Sequence, residues 1–356
     1  MFRGTVTVGA EITLNHVAEE SERIEVREMT FADAAGVAEL VRRAYGDGYI
    51  HKRIYHPDQF FGDQGAGLQT SEVAVIDGGE VVGHWAFVFH GPKVAESGMT
   101  ITDERFRGHG IASRLEGNLV DRIRKLGIRW VMGEPVLVHT ASQEIVVGHW
   151  DQGAITGIRL KEFTHVDLEG FADHTEHGRI SVAVGFAPLA EMTPHDVWVP
   201  AAYAEILEMV LEPVEWRRTV RTEMAGGFEP AETTVLATEF DPQVLKAAIE
   251  VEVIGKDLAS AVEAARNELI EKGAEFIEVH IPTSDPAAAT ADLLDQGFSF
   301  ASFLPEMRPD SDLLLLQWIS DPEIERDEWQ LLNGQIERLA DAIVDQAELA
   351  AKLREI

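Results

Sequence analysis

Apolar positions along this chain switch repeatedly between a two-residue and a helical period, and the switches mark out its elements. From Ile24, "IEVREMT" alternates as a strand does, and "FADAAGVAELVRRAY" has helical spacing behind Asp33, a candidate cap. "SEVAVIDGGEVVGHWAFVFH" reads as two strands about an Asp77-Gly78-Gly79 turn, where glycines supply the positive φ of a tight hairpin. A strand "AESGMTIT", a helix "IASRLEGNLVDRIRKLG", a buried strand "IRWVMGEPVLV", a helix through "SQEIVVGHW" and a strand near "GAITGIRL" follow. This order predicts an α/β unit built on a mixed α+β sheet.

A second unit is visible from about Glu232. "LASAVEAARNELIEKG" predicts a helix ended by Gly273, "AEFIEVHI" a strand, "DPAAATADLLDQ" a helix, and "GFSFASFL" and "DLLLLQWI" two more strands. Asp-Gln-Gly stands at the helix-to-strand junction of both units, in "GHWDQGAITGIRL" and "DLLDQGFSFASFL", so an internal duplication is expected. In the second unit "KAAIEVEVIGKDLASAVEAA" would be strand, short loop and helix, with Asp257 as the helix cap. The expected division is an appendage at 1–23, domains at 24–199 and 200–320, and one amphipathic helix over 321–356. That helix spaces Leu332, Ile336, Leu339, Ile343, Ala350 and Leu353 like a coiled-coil seam, so docking on its own domain and homodimer formation both stay open.

Composition narrows the function classes. The chain has 62 acidic and 30 basic residues, a formal net charge of -32, with the acids spread along it. A halophilic protein is expected, since salt screens such self-repulsion, and nucleic-acid binding is not, since phosphate contacts need a basic face. There is no cysteine, which removes disulfides, thiolate metal sites and thiol nucleophiles together. Without a long apolar run or a signal-peptide core at the N-terminus, a cytoplasmic protein with no membrane partner is expected.

Against this acidity, "RFRGHGIASRL" gathers arginines and glycines at a helix start, Arg105 to Leu115. A helix N-terminus presents unsatisfied N–H groups and the positive end of the macrodipole, and glycines let those groups approach a phosphate. Glycine count alone leaves a phosphate cradle and an ordinary loop both open. The order Arg107-Gly108-His109-Gly110-Ile111-Ala112, between a strand and a helix, resembles the acetyl-CoA signature of the GNAT superfamily of N-acetyltransferases, Gln/Arg-x-x-Gly-x-Gly/Ala. Arg107, Gly110 and Ala112 fall on its defining positions, and the resemblance extends over about residues 24–165.

The resemblance implies a GNAT-like acyl-CoA N-acyltransferase fold, repeated in tandem with a degenerate second copy. It implies acetyl-CoA as co-substrate, no metal, and direct attack of a primary amine on the thioester. Ile101 and Thr102 would pair with the pantetheine, and Arg107 to Ala112 would hold the pyrophosphate. Ser142 stands where the family usually has an asparagine of the cofactor site. Glu96 falls where relatives place the base, and a solvated carboxylate is its other reading. His149 falls where the family places a tyrosine acid, with Ala154 replacing the usual phenylalanine; a packed or solvated imidazole is its other reading. Tyr49, Tyr55 and His56 occupy the segment that commonly walls the acceptor site, or belong to a satellite core. Asp173, His174, Glu176 and His177 imitate a metal site but read as a solvated loop. The acceptor is a small-molecule or peptide amine; a non-catalytic acyl-CoA sensor and a structural dimerisation protein are the rival readings.

Overall fold

The computed structural model of the protein describes residues 23–49, 51–163 and 179–354. The expected appendage lies almost wholly outside the described residues, as does the Asp173 to His177 cluster. The first half comprises β1 (Glu25–Glu28), α1 (Ala34–Tyr45), α2 (Pro57–Gly65), β2 (Gln69–Val75), β3 (Val81–His90), β4 (Val94–Thr102) and α3 (Ile111–Lys125). It continues through β5 (Trp130–Gly133), α4 (Ala141–Glu144) with a π-helical turn over Ile145–His149, β6 (Ala154–Phe163) and β7 (Ile180–Pro188). A connecting stretch holds β8 (His195–Trp198), α5 (Ala201–Leu211) and β9 (Arg218–Arg221). The second half holds β10 (Val235–Asp241), β11 (Lys246–Val253), α6 (Leu258–Glu271), β12 (Phe276–Pro282), β13 (Ser299–Arg308), β14 (Ser311–Ile319) and α7 (Gly334–Leu353).

Among the described residues twelve strands form one mixed sheet in the order β1-β2-β3-β4-β5-β7-β6-β13-β14-β12-β11-β10. The chain is thus mixed α/β, as its pattern predicts. β3-β4-β5-β7-β6 and β10-β11-β12-β14-β13 have one strand order. In each the second and third strands are parallel and linked by a helix, α3 or α6, and the other neighbours are antiparallel. The halves meet at β6 and β13, where Gly157 pairs with Ser302. A Cβ at Gly157 would overlap the Ala301 carbonyl, so the junction needs glycine there. Thr156 and Ser302 hydroxyls meet at 2.9 Å, and the Gln317 side chain takes the Leu160 N–H and donates to the Ile158 and Phe300 carbonyls. A single large core cluster runs beneath this junction, with α7 closing it through Ile336, Leu339, Ala340 and Ile343. The apolar stripe of the tail therefore docks on its own chain.

Three elements differ from the pattern's prediction. The tail helix begins only at Gly334, where Asn333 caps the Gln335 and Ile336 N–H groups at 3.0 Å. Before it, Gln330 N donates to Leu137 O and Leu332 N to the Gln143 side chain, so this stretch is a strap bonded to the post-β5 loop. The 286–296 stretch makes two 3-10 turns, because the Asp292 side chain takes the Leu294 N–H and interrupts a helix. Asp33 leaves α1 uncapped; its carboxylate accepts from Thr30 N and from Arg27. No helix among the described residues is long and apolar enough to cross a membrane.

Candidate functional site

β4 stays paired with β3 as far as Thr102, but pairs with β5 only at Val94, Ala95 and Glu96. Beyond that point β5 ends at Gly133 and runs into Glu134-Pro135, where proline has no N–H to offer a ladder. The chain then follows β7, through Ala183 N to Pro135 O and a Val136–Val182 bridge. β4 meanwhile bulges, with Met99 and Thr100 opposite Trp85 and Met99 at φ 53°. The two strands therefore part. A cleft of about 820 Å³ opens along the freed length of β4, lined by Arg43 and Tyr45 of α1, Ile101, Thr102, Arg107 and, opposite, His139.

At the cleft's end the chain turns into α3 through Gly108 (φ 81°) and Gly110 (φ 70°), a backbone region that disfavours side chains. A Cβ on either glycine would meet nothing among the described residues within 4 Å, so this loop faces open space among them. α3 starts at Ile111 with no side-chain cap, and the first-turn N–H groups have no intrahelical acceptor. Ile111 is buried under the helix, whereas His109 and Ala112 are exposed beside the loop. The arginines divide. Arg105 is bound to Asp103 at 2.8 and 2.9 Å and to Glu80 at 2.5 Å, which holds the Asp103 carboxyl down at about 2. Its charge is spent locally. Arg107 is exposed and has no ion pair among the described residues, so it is the cation left for an anion.

Glu96 sits at the last paired position, where the strands part. Its Oε2 is 2.6 Å from His90 Nε2. Burial pushes this carboxyl up, but the His90 bond and the charges of His90, His51 and Arg159 outweigh it and hold it below its usual range. The bond to Glu96 raises His90 in turn. Tyr49, stacked on Tyr45 at 5.1 Å and 5.5 Å from the His51 ring, is pushed far up by burial and stays a neutral phenol. Tyr55 donates to Gly46 O at 2.7 Å and accepts from Tyr49 N, so it shapes the loop that carries Tyr49. His56 is exposed at the start of α2. His149 is exposed at the end of the π-helical turn, outside the residues that line the cleft. Ser142 Oγ is buried with no hydrogen-bond partner among the described residues. No three His, Asp or Glu side chains among them are arranged to hold a metal.

Sequence reading misses the charges behind Glu96. Arg159, buried on β6, meets Glu134, Glu162 and Glu278, and Lys246 meets the last two. One arginine inside the apolar "GAITGIRL" is the signal that marks a buried charge needing partners.

The second half treats the same place differently. β11 and β12 pair at five positions, Lys246 to Glu250. At the last of them His280 meets Glu250 at 2.5 Å, and Arg308 donates to Glu250 at 2.9 Å and, just past it, to Val251 O at 2.7 Å. The loop before α6 is covered: Lys256 N donates to Ala231 O and Gly255 N to Thr234 Oγ1. Asp257, expected to cap the helix, instead accepts from Thr234 N at 2.6 Å, tying the covering segment down.

Comparison with known proteins places a name on one part of the chain. Residues 35–142 match the acetyltransferase (GNAT) family. That segment runs from α1 through the cleft and glycine loop into α4. No curated protein matches the chain. Among solved structures it is similar to the ribosomal-protein-S18-alanine N-acetyltransferase of Escherichia coli, at 13% identity over 48% of this chain and 97% of that one, TM-score 0.38. A GNAT phosphinothricin acetyltransferase of Sinorhizobium meliloti in complex with acetyl-CoA gives 20% identity over 47% and 89%, TM-score 0.36. A GNAT N-acetyltransferase of Escherichia coli in complex with CoA gives 18% over 49% and 86%, TM-score 0.31.

Proposed function

We propose that the protein is an acetyl-CoA-dependent N-acetyltransferase that moves the acetyl group to a primary amine by direct attack. The observation that carries this reading is the parting of β4 and β5 onto a cleft that ends at an open glycine loop and an uncapped helix start. The freed edge of β4 at Ile101 and Thr102 suits an extended amide-bearing chain. The loop from Arg107 to Ala112 suits a pyrophosphate, which the N–H groups and the helix end favour together. Ser142, with its orphaned buried hydroxyl, suits a further polar contact to the co-substrate.

Glu96 is the base of this proposal. Held ionised by His90, it takes the proton that the amine loses on attack. Tyr49 is the acceptor-pocket residue that feels the Glu96 charge, Tyr55 holds the Tyr49 loop, and His56 is exposed at the start of α2. His149 is the acid that the resemblance assigns. The second half is read as a degenerate copy that folds but takes no acetyl-CoA, supported by the repeated strand order and the covered loop. Thiol release from acetyl-CoA that depends on an added amine tests the activity. Tight acetyl-CoA binding with no release across amine and peptide panels would favour the non-catalytic sensor.

A further inference from the structure

Glu134 is a member of the buried charge cluster whose charge interacts with that of Glu96, and no motif named above accounts for it. It stands two residues beyond Met132, the β5 partner of Glu96. Residues two apart on an extended chain share a face, so Glu96 and Glu134 flank the parting of the strands on one face of the sheet. Both side chains are 19% exposed. Each meets a cationic side chain, His90 for Glu96 and Arg159 for Glu134.

The cation of Glu134 is shared. Arg159 also faces Glu162 at 3.4 Å and Glu278 at 3.8 Å, and Lys246 stands 2.5 and 3.3 Å from those two. Three carboxyls thus surround Arg159, and Glu134 is the one that Lys246 does not contact. Glu162 Oε2 and Glu278 Oε2 are buried without hydrogen-bond partners among the described residues, so the carboxyls around Arg159 are not fully satisfied by it.

We propose that Glu134 is the second carboxyl of an acid–base pair, handing a proton to the departing thiolate while Glu96 takes the proton of the amine. This rests on the acetyl-transfer reading. The amine nitrogen bonds to the acetyl carbon, the C–S bond breaks with its electron pair on sulfur, and sulfur takes the Glu134 proton. The nitrogen's proton goes to Glu96, and solvent exchange returns one to Glu134. The surroundings agree. Burial pushes Glu134 up to about 8; Arg159 and Lys246 oppose burial, while Glu162 and Glu96 add to it, and Glu96 is moved the other way. His90 on β3 completes the charged groups around it. Environments that drive two carboxyls apart separate acid from base.

Infrared difference spectra between the unaltered protein and Glu134→Gln, at neutral pH without substrate, should show the loss of a neutral carboxyl band. The Glu96→Gln difference should show no such band. With acetyl-CoA and an accepted amine, kcat should fall on the alkaline side through about pH 8 as Glu134 ionises. Glu134→Gln should lower kcat about 10²-fold and abolish that alkaline limb, and Glu134→Asp should restore part of both. An ionised Glu134 in the spectra would overturn the proposal. So would an unchanged limb in Glu134→Gln beside a lost limb in His149→Gln, with acetyl transfer itself left standing. Failure of the unaltered protein to bind acetyl-CoA would overturn both readings.

Discussion

The two halves share a strand order and differ in what happens after the parallel pair. In the first, β4 and β5 separate after three paired positions and the loop into α3 faces open space. In the second, β11 and β12 hold together for five, Arg308 takes the Val251 carbonyl just past them, and residues 231–234 cover the loop into α6. A helix start binds an anion only when its N–H groups are free, and in the second half their surroundings are already taken. Strand order alone therefore does not distinguish the halves. An unpaired strand edge and an uncovered loop do.

The comparison breaks most severely at the junction. Gly157→Val should destabilise the protein by about 3 kcal/mol or more, because a side chain there overlaps the Ala301 carbonyl and forces β6 from β13. Denaturant midpoints would check this; a variant of normal stability would mean that the halves do not depend on that contact. Next comes Glu96→Gln, expected to lower turnover about 10²-fold with acetyl-CoA affinity nearly unchanged, as for an interaction made only in the transition state. Steady-state kinetics beside calorimetry separate the two quantities. Arg107→Ala should be milder, weakening acetyl-CoA about tenfold, since one exposed cation adds to the N–H groups without replacing them.

The smallest effect lies in the stretch that joins the halves. His195 Nε2 stands 2.9 Å from buried Asp312, which Arg218 also binds, and the bond to Asp312 raises the His195 pKa. A raised histidine stabilises the fold fully below its unfolded pKa, near 6.5, and loses that contribution as pH rises through the folded value. His195→Gln should therefore flatten the pH dependence of Tm above about pH 6.5. The difference should be at most about 1 kcal/mol, since the imidazole is partly solvated. An equal slope in both proteins would remove His195 from the account.

Local chemistry made much of this legible. The Asp77-Gly78-Gly79 hairpin and the stripes of α3 and α6 depend on residues close in sequence, and the structure has them. The glycine loop was readable too, because positive φ and a bare helix start are written in neighbouring residues. Reading failed where a distant partner decides. "IRWVMGEPVLV" looks like one strand, yet the chain leaves β4 at Glu134-Pro135 to follow β7. The tail looks helical from Asp321, yet the Gln330–Leu332 stretch is bonded to Leu137 and Gln143. Asp257 looks like a cap, yet Thr234 reaches it first. The partners of Arg159 lie on strands of both halves, and no local pattern brings Glu134 and Glu278 together.

The most direct test of one open and one closed site is the stoichiometry of acetyl-CoA binding to the intact chain by calorimetry. One acetyl-CoA per protomer is expected, with all of it removed by Gly110→Val, whose side chain would stand in the open space of the loop. Thr234→Ala and Arg308→Ala should leave that number at one, since relieving single covering contacts does not build a cradle. Two sites per chain, or binding that survives Gly110→Val, would contradict the account.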